Sequence, residues 1–472
     1  MSPLRLFGLY LHTPLLLVAI CELGITTVAA LLAQRWIGAP LSTLAGFVQA
    51  FAFGTVTLAT MVGMGVYQSR IREGYSAMML RTAVAQFLIG LSVFLLFALI
   101  VEIPPATVSV FVYASAGSFA LLGVWRILYP IALKEHRFRR RVLVLGTGHR
   151  AYKIASRMRR RSDQRGFELI GFLSRDSSAE ADQISGLGVH VFSDRSTLLA
   201  FCQREAVDEI VVALDERRRS GESGTGIPLD ELMSCRLSGI AVSEVQEFIE
   251  REAGRIEVDL LRPSWLVLSP GFAMSAGHRV LKRGFDIVAA LALLALLWPF
   301  MLLTALAVAL ESGFRGTILL RQERVGLNGA VFRQVKFRSM IENAEPDGPV
   351  WTRCNDERIT RVGRFVRKSR LDELPQLLNV LRGDMSFVGP RPERPVFVRQ
   401  FEDAIPFYSE RHRIKPGITG WAQLCYPYGA SMEDAREKLQ YDLYYLKHHS
   451  VLMDLIILLQ TVEVVVVGEG AR

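Results

Sequence analysis

The sequence predicts a membrane protein in three parts. These are a four-helix transmembrane bundle, an α/β middle domain, and an α-rich catalytic domain with a re-entrant membrane helix. Three observations predict it. Four apolar segments crowd the first 133 residues, and a strand–glycine turn–helix pattern opens the next stretch. A long apolar run interrupted by proline then leads into a region dense in Arg, Gly, Pro and acids. The expected boundaries are 1–133, 134–262 and 279–472, with the re-entrant helix at 283–311.

At 472 residues the chain exceeds one ordinary domain. Half of its residues are hydrophobic and the mean hydropathy is +0.27, which points to the membrane class. The net charge is +9, and 47 of the 55 cations are arginines. Arg pairs bidentately with phosphate oxygens, and basic loops sit well against anionic lipid. Genomic base composition can favour Arg over Lys without function, but it does not decide where the arginines cluster. Cys21, Cys202, Cys235, Cys354 and Cys425 are odd in number and widely spaced, with no C-x-x-C. That argues against a disulfide framework and a zinc site. The first apolar stretch is too long for a signal-peptide core and is expected to be retained.

The four segments are Leu11–Leu32, Leu44–Tyr67, Ala83–Val101 and Thr107–Trp125, each near the ~20 residues that cross a bilayer core as a helix. Arg70, Arg72 and Arg81 lie between the second and third; Arg126, Lys134, Arg137, Arg139, Arg140 and Arg141 come after the fourth. The other connections hold only Arg35, or Glu102 and two prolines. The positive-inside rule then puts both ends of this unit, and the middle domain beyond it, in the cytoplasm. Glu22 is the only formal charge inside the segments, which argues against a soluble bundle; it is expected to face the bundle interior.

In the middle part Arg141–Gly146 reads as a buried strand entering a glycine turn, and Gly146-Thr147-Gly148-His149-Arg150-Ala151 fits G-x-G-x-x-A. An amphipathic run through Ile154 and Met158 comes next. This is the context of a phosphate-binding, Rossmann-like fold, with Gly146 and Gly148 as the candidate nucleotide turn. Further strands are expected at Glu168–Leu173 and Glu209–Leu214. The acidic residue that should follow the second strand is displaced, with Asp176 the nearest. Nucleotide binding and a purely structural domain are both open readings. Glu216–Gly226 reads as a loop.

Lys282-Arg283 precedes the apolar run Gly284–Leu310, and Arg315, Arg321 and Arg324 come after it. Basic flanks on both sides favour both ends staying cytoplasmic. Pro299 removes a backbone donor, so a hairpin turning at Trp298-Pro299 is expected, with a kinked span as the alternative.

The last part carries the chemistry. Leu374, Leu377, Leu378 and Leu381 form one helix face, and Pro375 is best tolerated in a first helical turn. A helix is therefore expected to begin near Asp372, with Asp372 and Glu373 at its N-terminus, where anions and phosphates are favoured. A carboxylate there can attack phosphorus, and its neighbour can share Mg²⁺. Simple capping by two first-turn acids is the competing view. The cations Lys336, Arg338, Arg358, Arg367 and Arg370 surround the motif in sequence. Gly389-Pro390-Arg391-Pro392-Glu393 makes a rigid turn presenting Arg391, and Lys415-Pro416-Gly417-Ile418-Thr419-Gly420 a second. These residues are the candidate clamp for a diphosphate, with plain structural turns as the competing view of the two rigid segments.

These motifs resemble the bacterial sugar transferase family, the monotopic polyprenyl-phosphate phosphoglycosyl transferases. The matching stretches are Lys282-Arg283-x-Phe285-Asp286, Gln322-x-Arg324-x-Gly326, Lys336–Met340, Arg358-Ile359-Thr360-x-x-Gly363, Leu371–Gln376, Gly383–Pro392 and Lys415–Gln423. They run in the family's order over residues 279–466. The first half resembles, by architecture, the large exopolysaccharide-type members such as undecaprenyl-phosphate glucose phosphotransferases. The resemblance implies that Asp372 attacks the sugar-bearing phosphate of a UDP-sugar and releases UMP. The phosphosugar-aspartyl enzyme then passes its phosphosugar to polyprenyl phosphate. It implies that Glu373 helps hold Mg²⁺, that Lys336, Arg338, Arg358, Arg367, Arg370, Arg391 and Glu393 bind substrate, and that Pro299 marks the membrane hairpin. The expected location is the bacterial inner membrane, multi-pass, with the site facing the cytoplasm. Two departures stand out: Trp298-Pro299 replaces the family's Ser-Pro, and Gly316-Thr317 its Gly-Pro. The resemblance implies no nucleic-acid partner; a homodimer is compatible with the sequence and not required by it.

Other features have plainer readings. His448-His449 are expected at a membrane-surface helix start, and Tyr441, Tyr444 and Tyr445 on an amphipathic interfacial helix. Val451–Val467 carries Asp454 and Glu463 and reads as a surface-lying or packed helix. Nothing marks Cys354 as reactive. Two other functions fit the residues less well. A regulator with dead chemistry would have a damaged Asp-Glu pair, and this one is intact. A nicotinamide-dependent oxidoreductase would need a catalytic Tyr/Lys set near Gly146, and none is found.

Overall fold

In lipid, a helix satisfies its own backbone hydrogen bonds, and the N-terminal apolar segments are helical in the computed structural model. The structure describes residues 4–6, 9–11, 13–38, 44–63, 75–90, 105–132, 139–158, 167–174, 184–193, 196–215, 228–261, 263–272, 275–345, 348, 356–426, 429 and 431–467. The chain divides into two compact units, broadly Tyr10–Leu260 and Leu261–Arg472.

The first unit opens with α1 (Thr13–Trp36) and α2 (Leu44–Gly63). Next comes α3 (Tyr75–Ala83), which continues as a π-helical stretch Val84–Gly90, and then α4 (Pro105–Ala132). Within them Leu17–Trp36, Leu44–Val62 and Val108–Leu128 are each long and apolar enough to cross a membrane. The third expected segment begins eight residues early, at Tyr75, and its remainder past Gly90 lies outside the described residues. Ala30, Ala33, Ala50 and Ala114 pack together, small side chains that let helices approach closely. Glu22 is buried, as a lone charge in an apolar segment must be, and Arg126 is its partner. The Arg126 Nε and a terminal nitrogen donate to the two Glu22 carboxylate oxygens at 2.9 and 3.0 Å. Thr82 Oγ1 accepts from the same guanidinium.

The same unit contains β1 (Arg140–Leu145), α5 (His149–Met158), β2 (Phe167–Leu173), β3 (Val191–Phe192) and α6 (Leu198–Arg204). After these come β4 (Glu209–Val212), α7 (Leu229–Leu237), β5 (Ala241–Glu244) and α8 (Val245–Ala253). The strands form one parallel sheet in the order β3-β2-β1-β4-β5. Alternation along β1 sends Val142 and Val144 to a core with α5 and α8. Leu143 and Leu145 go to a second core with α6 and α7. Helices thus cover both faces. Asp176 and the Glu216–Gly226 loop lie outside the described residues.

The second unit is organised by α9 (Ala276–Glu311), 36 residues capped by Ser275 and apolar enough to cross a membrane. The expected turn at Trp298-Pro299 is absent: the chain stays helical through both residues. A proline deletes one ladder bond, here to the Ala295 carbonyl, and the flanking bonds carry the helix on. One turn later Thr304 Oγ1 donates to the Phe300 carbonyl at 2.8 Å, an arrangement that bends helices.

After α9 come the antiparallel pair β6 (Leu319–Val325) and β7 (Val331–Phe337), then α10 (Arg361–Lys368). A 3₁₀ turn Leu371–Glu373 leads into α11 (Gln376–Arg382). Next are β8 (Ser386–Val388), α12 (Pro395–Ala404), a second 3₁₀ segment Tyr408–Arg413 and β9 (Gly417–Thr419). The unit closes with α13 (Met432–His448) and α14 (Val451–Val467). Tyr441, Tyr444, Tyr445 and His448 are buried, so α13 is a core helix rather than an interfacial one. The His448-His449 pair ends α13 and lies just before the start of α14 at Val451, and the His449 ring meets His278 edge-on at 5.2 Å. Asp454 anchors α14 to the fold: it accepts from Lys282 Nζ and from the Tyr445 hydroxyl, both at 2.5 Å. Cys354 lies outside the described residues.

Candidate active site

Arg370, in the left-handed region at φ 57°, reverses the chain and starts the 3₁₀ turn that carries Asp372 and Glu373. The α-helix proper begins after Pro375, at Gln376, and has seven residues. The carboxylates therefore sit on a tight turn ahead of a short helix, with less of a helix dipole behind them than the sequence suggests. The buried face of α11 also differs from the expected leucine stripe. Gln376, Leu377, Asn379 and Val380 are buried, while Leu378 is exposed. Asn379 belongs to that face because strand β7 presents the Val335 N–H and the Arg333 carbonyl to it.

Asp372 is 9% exposed, and its Oδ1 is buried without a hydrogen-bond partner among the described residues. Burial, then the neighbouring Glu373 charge, raises its pKa to about 6 against the opposing pull of Lys336, Arg367 and Arg391. Glu373 takes the opposite course. Burial would raise it, but Arg391 and Arg370 hold it below the usual carboxylate range. An Arg391 terminal nitrogen donates to Glu373 Oε1 at 2.9 Å, with Arg370 at 3.5 Å from the same oxygen. Lys336 is held down to about 8 by burial first and then by Arg324, against Asp372. The turn therefore places one carboxylate with an open oxygen beside a second that is locked by guanidinium groups.

Of the residues expected here, Lys336, Arg367, Arg370 and Arg391 gather around the pair. Arg338 and Arg358 are engaged elsewhere: Arg338 pairs with Glu342 at 3.0 Å, and Arg358 with Asp356 at 2.6 Å. Glu393 faces Arg324 at 3.6 Å. Sequence reasoning passes over Arg324 and Arg411. A nitrogen of Arg411 donates to the Arg391 carbonyl at 3.0 Å, while Asp442 pairs with that guanidinium at 2.8 Å. Arg324 stands in one of the family motifs; Arg411 directly precedes His412 near the second rigid turn and carries no signal beyond its charge.

The two rigid turns prove to be one structure. Strands β8 and β9 pair in parallel, with Gly389 N–H donating to the Thr419 carbonyl at 3.0 Å. Gly389 is required by close approach, since a methyl group on it would overlap the Lys415 carbonyl oxygen. The long apolar helix α9 braces this frame through its first polar residues. Arg283 donates to the carbonyls of Val380 and Leu381, at 2.6 and 2.7 Å, capping the end of α11. Asp286 accepts from Ser386 Oγ and Phe387 N–H, and Lys282 reaches the Val388 carbonyl.

At the other candidate site, Gly146 has φ 117°, and a side chain there would press on the Ala213 carbonyl. Gly148 opens α5, whose first N–H groups, of His149 and Arg150, donate to Asp215 at 2.7 and 3.2 Å.

Comparison with known proteins fits this geometry. The bacterial sugar transferase family profile matches residues 277–468, and a CoA-binding domain profile matches residues 63–220. The UDP-N-acetylgalactosamine-undecaprenyl-phosphate N-acetylgalactosaminephosphotransferase of Aeromonas hydrophila is 43% identical over 244 residues, 51% of this chain and 56% of that protein. The undecaprenyl-phosphate glucose phosphotransferase of Komagataeibacter xylinus is 32% identical over 333 residues, 69% of this chain and 59% of that protein. The UDP-glucose:undecaprenyl-phosphate glucose-1-phosphate transferase of Caulobacter vibrioides is 44% identical over 194 residues, 40% of this chain and 71% of that protein. The matched region spans about half the length of the first two of these relatives. The motifs gathered around Asp372 all lie within the matched region, and the chain belongs to the bacterial sugar transferase family.

Proposed function

We propose that this protein transfers a sugar-1-phosphate from a UDP-sugar to undecaprenyl (polyprenyl) phosphate, the initiating step of exopolysaccharide or related glycan biosynthesis. The observation that carries this reading is the open, buried oxygen of Asp372 beside Lys336 and an arginine-held Glu373. In the first step an Asp372 carboxylate oxygen attacks the sugar-bearing phosphorus. The bond from that phosphorus to the bridging oxygen breaks, and UMP leaves. In the second step an oxygen of the lipid phosphate attacks the same phosphorus, and the aspartyl–phosphorus bond breaks to regenerate Asp372. Lys336, Arg367 and Arg391 neutralise the diphosphate, where preorganised charge does most for a phosphoryl transition state.

Asp372 and Glu373 are hard oxygen donors. Among the described residues no group of three or more His, Cys, Asp or Glu side chains gathers to hold a metal. Mg²⁺ commonly needs only one or two carboxylates besides substrate phosphates and water, so the pair fits it. When bound it would supply charge neutralisation at the phosphate oxygens. The relatives' names include both glucose and N-acetylgalactosamine, so the sugar is left open within the UDP-sugar class. For α9, the basic flanks support both ends lying at the cytoplasmic face of the inner membrane; because the helix is continuous through Pro299, that course requires it to kink further at this proline within the bilayer. The parallel sheet with helices on both faces supports reading the middle domain as Rossmann-like.

The test is UMP release across a panel of UDP-sugars with undecaprenyl phosphate and Mg²⁺. Asp372→Asn is expected to abolish both UMP release and trapping of a phosphosugar adduct. Full turnover by that variant sinks the nucleophile assignment.

A further inference from the structure

We infer that Asn379 is a positioning residue that sets Lys336 against Asp372; this rests on the proposed reaction. Asn379 is fully buried on α11, seven residues after Asp372. Its amide reads the free edge of β7 as a neighbouring strand would. The Asn379 Oδ1 accepts from Val335 N–H at 2.9 Å, and its Nδ2 donates to the Arg333 carbonyl at 2.8 Å. Nδ2 also reaches Asp384 Oδ2 at 3.2 Å. Residues 333 and 335 expose their carbonyl and N–H on one edge because strand geometry repeats every two residues. Lys336 is the next residue of that strand, and the strand packs against both the Leu371–Glu373 turn and α11. One carboxamide thus ties the backbone that carries the ammonium to the helix that follows the carboxylate. Only Asn has the length and both hydrogen-bonding functions for this edge; a leucine stripe alone would let strand and helix slide.

A double-mutant cycle with Lys336→Ala and Asn379→Ala, read as kcat/KM for UMP release, tests it. Asn379→Ala is expected to lose roughly 10- to 100-fold, and the double variant to lose little more than Lys336→Ala alone. Additive losses overturn the inference. Asn379→Ser keeps a small polar group at this edge without burying a charge beside Asp384, so it covers the case in which Asn379→Ala fails to fold. It is expected to couple to Lys336 in the same way, and additivity there is equally fatal. Absence of UMP release by the wild type overturns the parent reading instead.

A separate observation supports a second inference. We infer that Asp215 closes the phosphate position of the middle domain, so that CoA or a dinucleotide is not seated at the Gly146 turn. Ligands of such sheets bind where strand order reverses, with the diphosphate on the first helix N-terminus. Here that point lies between β1 and β4, and Asp215 follows β4. Its two oxygens take the His149 and Arg150 N–H groups that a phosphate would need. Gly146 is explained by its approach to Ala213 without any ligand. Calorimetry of the full-length protein with CoA and NAD is expected to show no saturable heat. Asp215→Ala is expected to expose the His149 and Arg150 amides to exchange and to strengthen nucleotide binding roughly tenfold or more. Saturable wild-type binding that protects those two amides, or no gain in Asp215→Ala, overturns it.

Discussion

At the scale of single residues, two adjacent carboxylates are given different surroundings. Glu373 is fixed by Arg391 and Arg370, while Asp372 keeps an open oxygen. Arg391→Ala should release Glu373 and lower the UMP-release rate by about 10²-fold, with a smaller loss for Arg391→Lys; unchanged rates in steady-state assays would contradict the arrangement. A second residue sets a pH dependence of stability. Burial first, and Arg411 next, push the His412 imidazole down to about 3 from 6.5. The unfolded chain therefore binds a proton between those values that the folded chain refuses. Stability from this group is complete above pH 6.5 and is lost as pH falls toward 3, by about 1.4 kcal/mol per unit. Thermal midpoints of wild type and His412→Asn compared between pH 7 and 5 check this, with the wild type expected to fall more steeply. The Asp-Glu pair is legible in the sequence because Pro375 and the arginines flank it. The difference between the two acids is not, because it comes from Arg391, eighteen residues on, whose direction depends on Arg411 and Asp442.

At the scale of elements, hydrophobic patterning locates the strands Glu168–Leu173 and Glu209–Leu214 and the starts of α1, α2 and α4 to within two residues, while the ends of those helices and the start of α3 differ by four to eight. It places the tyrosines of α13 wrongly, because an interfacial face and a core face look alike when both mix aromatic with polar residues. It misses that the Gly-Pro-Arg-Pro and Lys-Pro-Gly turns join, since parallel pairing of β8 with β9 is a non-local fact. The proline in α9 predicts a turn and is instead an interior helical residue. If α9 bends back, a single cysteine at Arg315 should react only with reagents on the cytoplasmic side in intact cells; labelling from the periplasm would make α9 a true span.

At the scale of the whole molecule, the charges that sit in apolar surroundings are the most exacting. The Glu22–Arg126 pair joins α1 to α4 through a bidentate contact. Removing one partner leaves the other charge buried, so Glu22→Gln is expected to destabilise the first unit by about 3–5 kcal/mol. Replacing both by leucine should restore much of that loss in a denaturation series in detergent; equal losses in the single and double variants would argue against the pair.

The guanidinium of Arg283 has a consequence that reaches into the lipid. It sits on the membrane helix yet grips the last carbonyls of the segment that begins just beyond Asp372. A helix that meets a thicker or thinner bilayer tilts to bury its apolar length, and with α9 seated in lipid the Arg283 contact would carry that tilt to the segment after Asp372. On the proposed reaction, acyl-chain length is then a variable to test: UMP-release rates in vesicles of shorter and longer acyl chains should differ for the wild type and converge for Arg283→Ala.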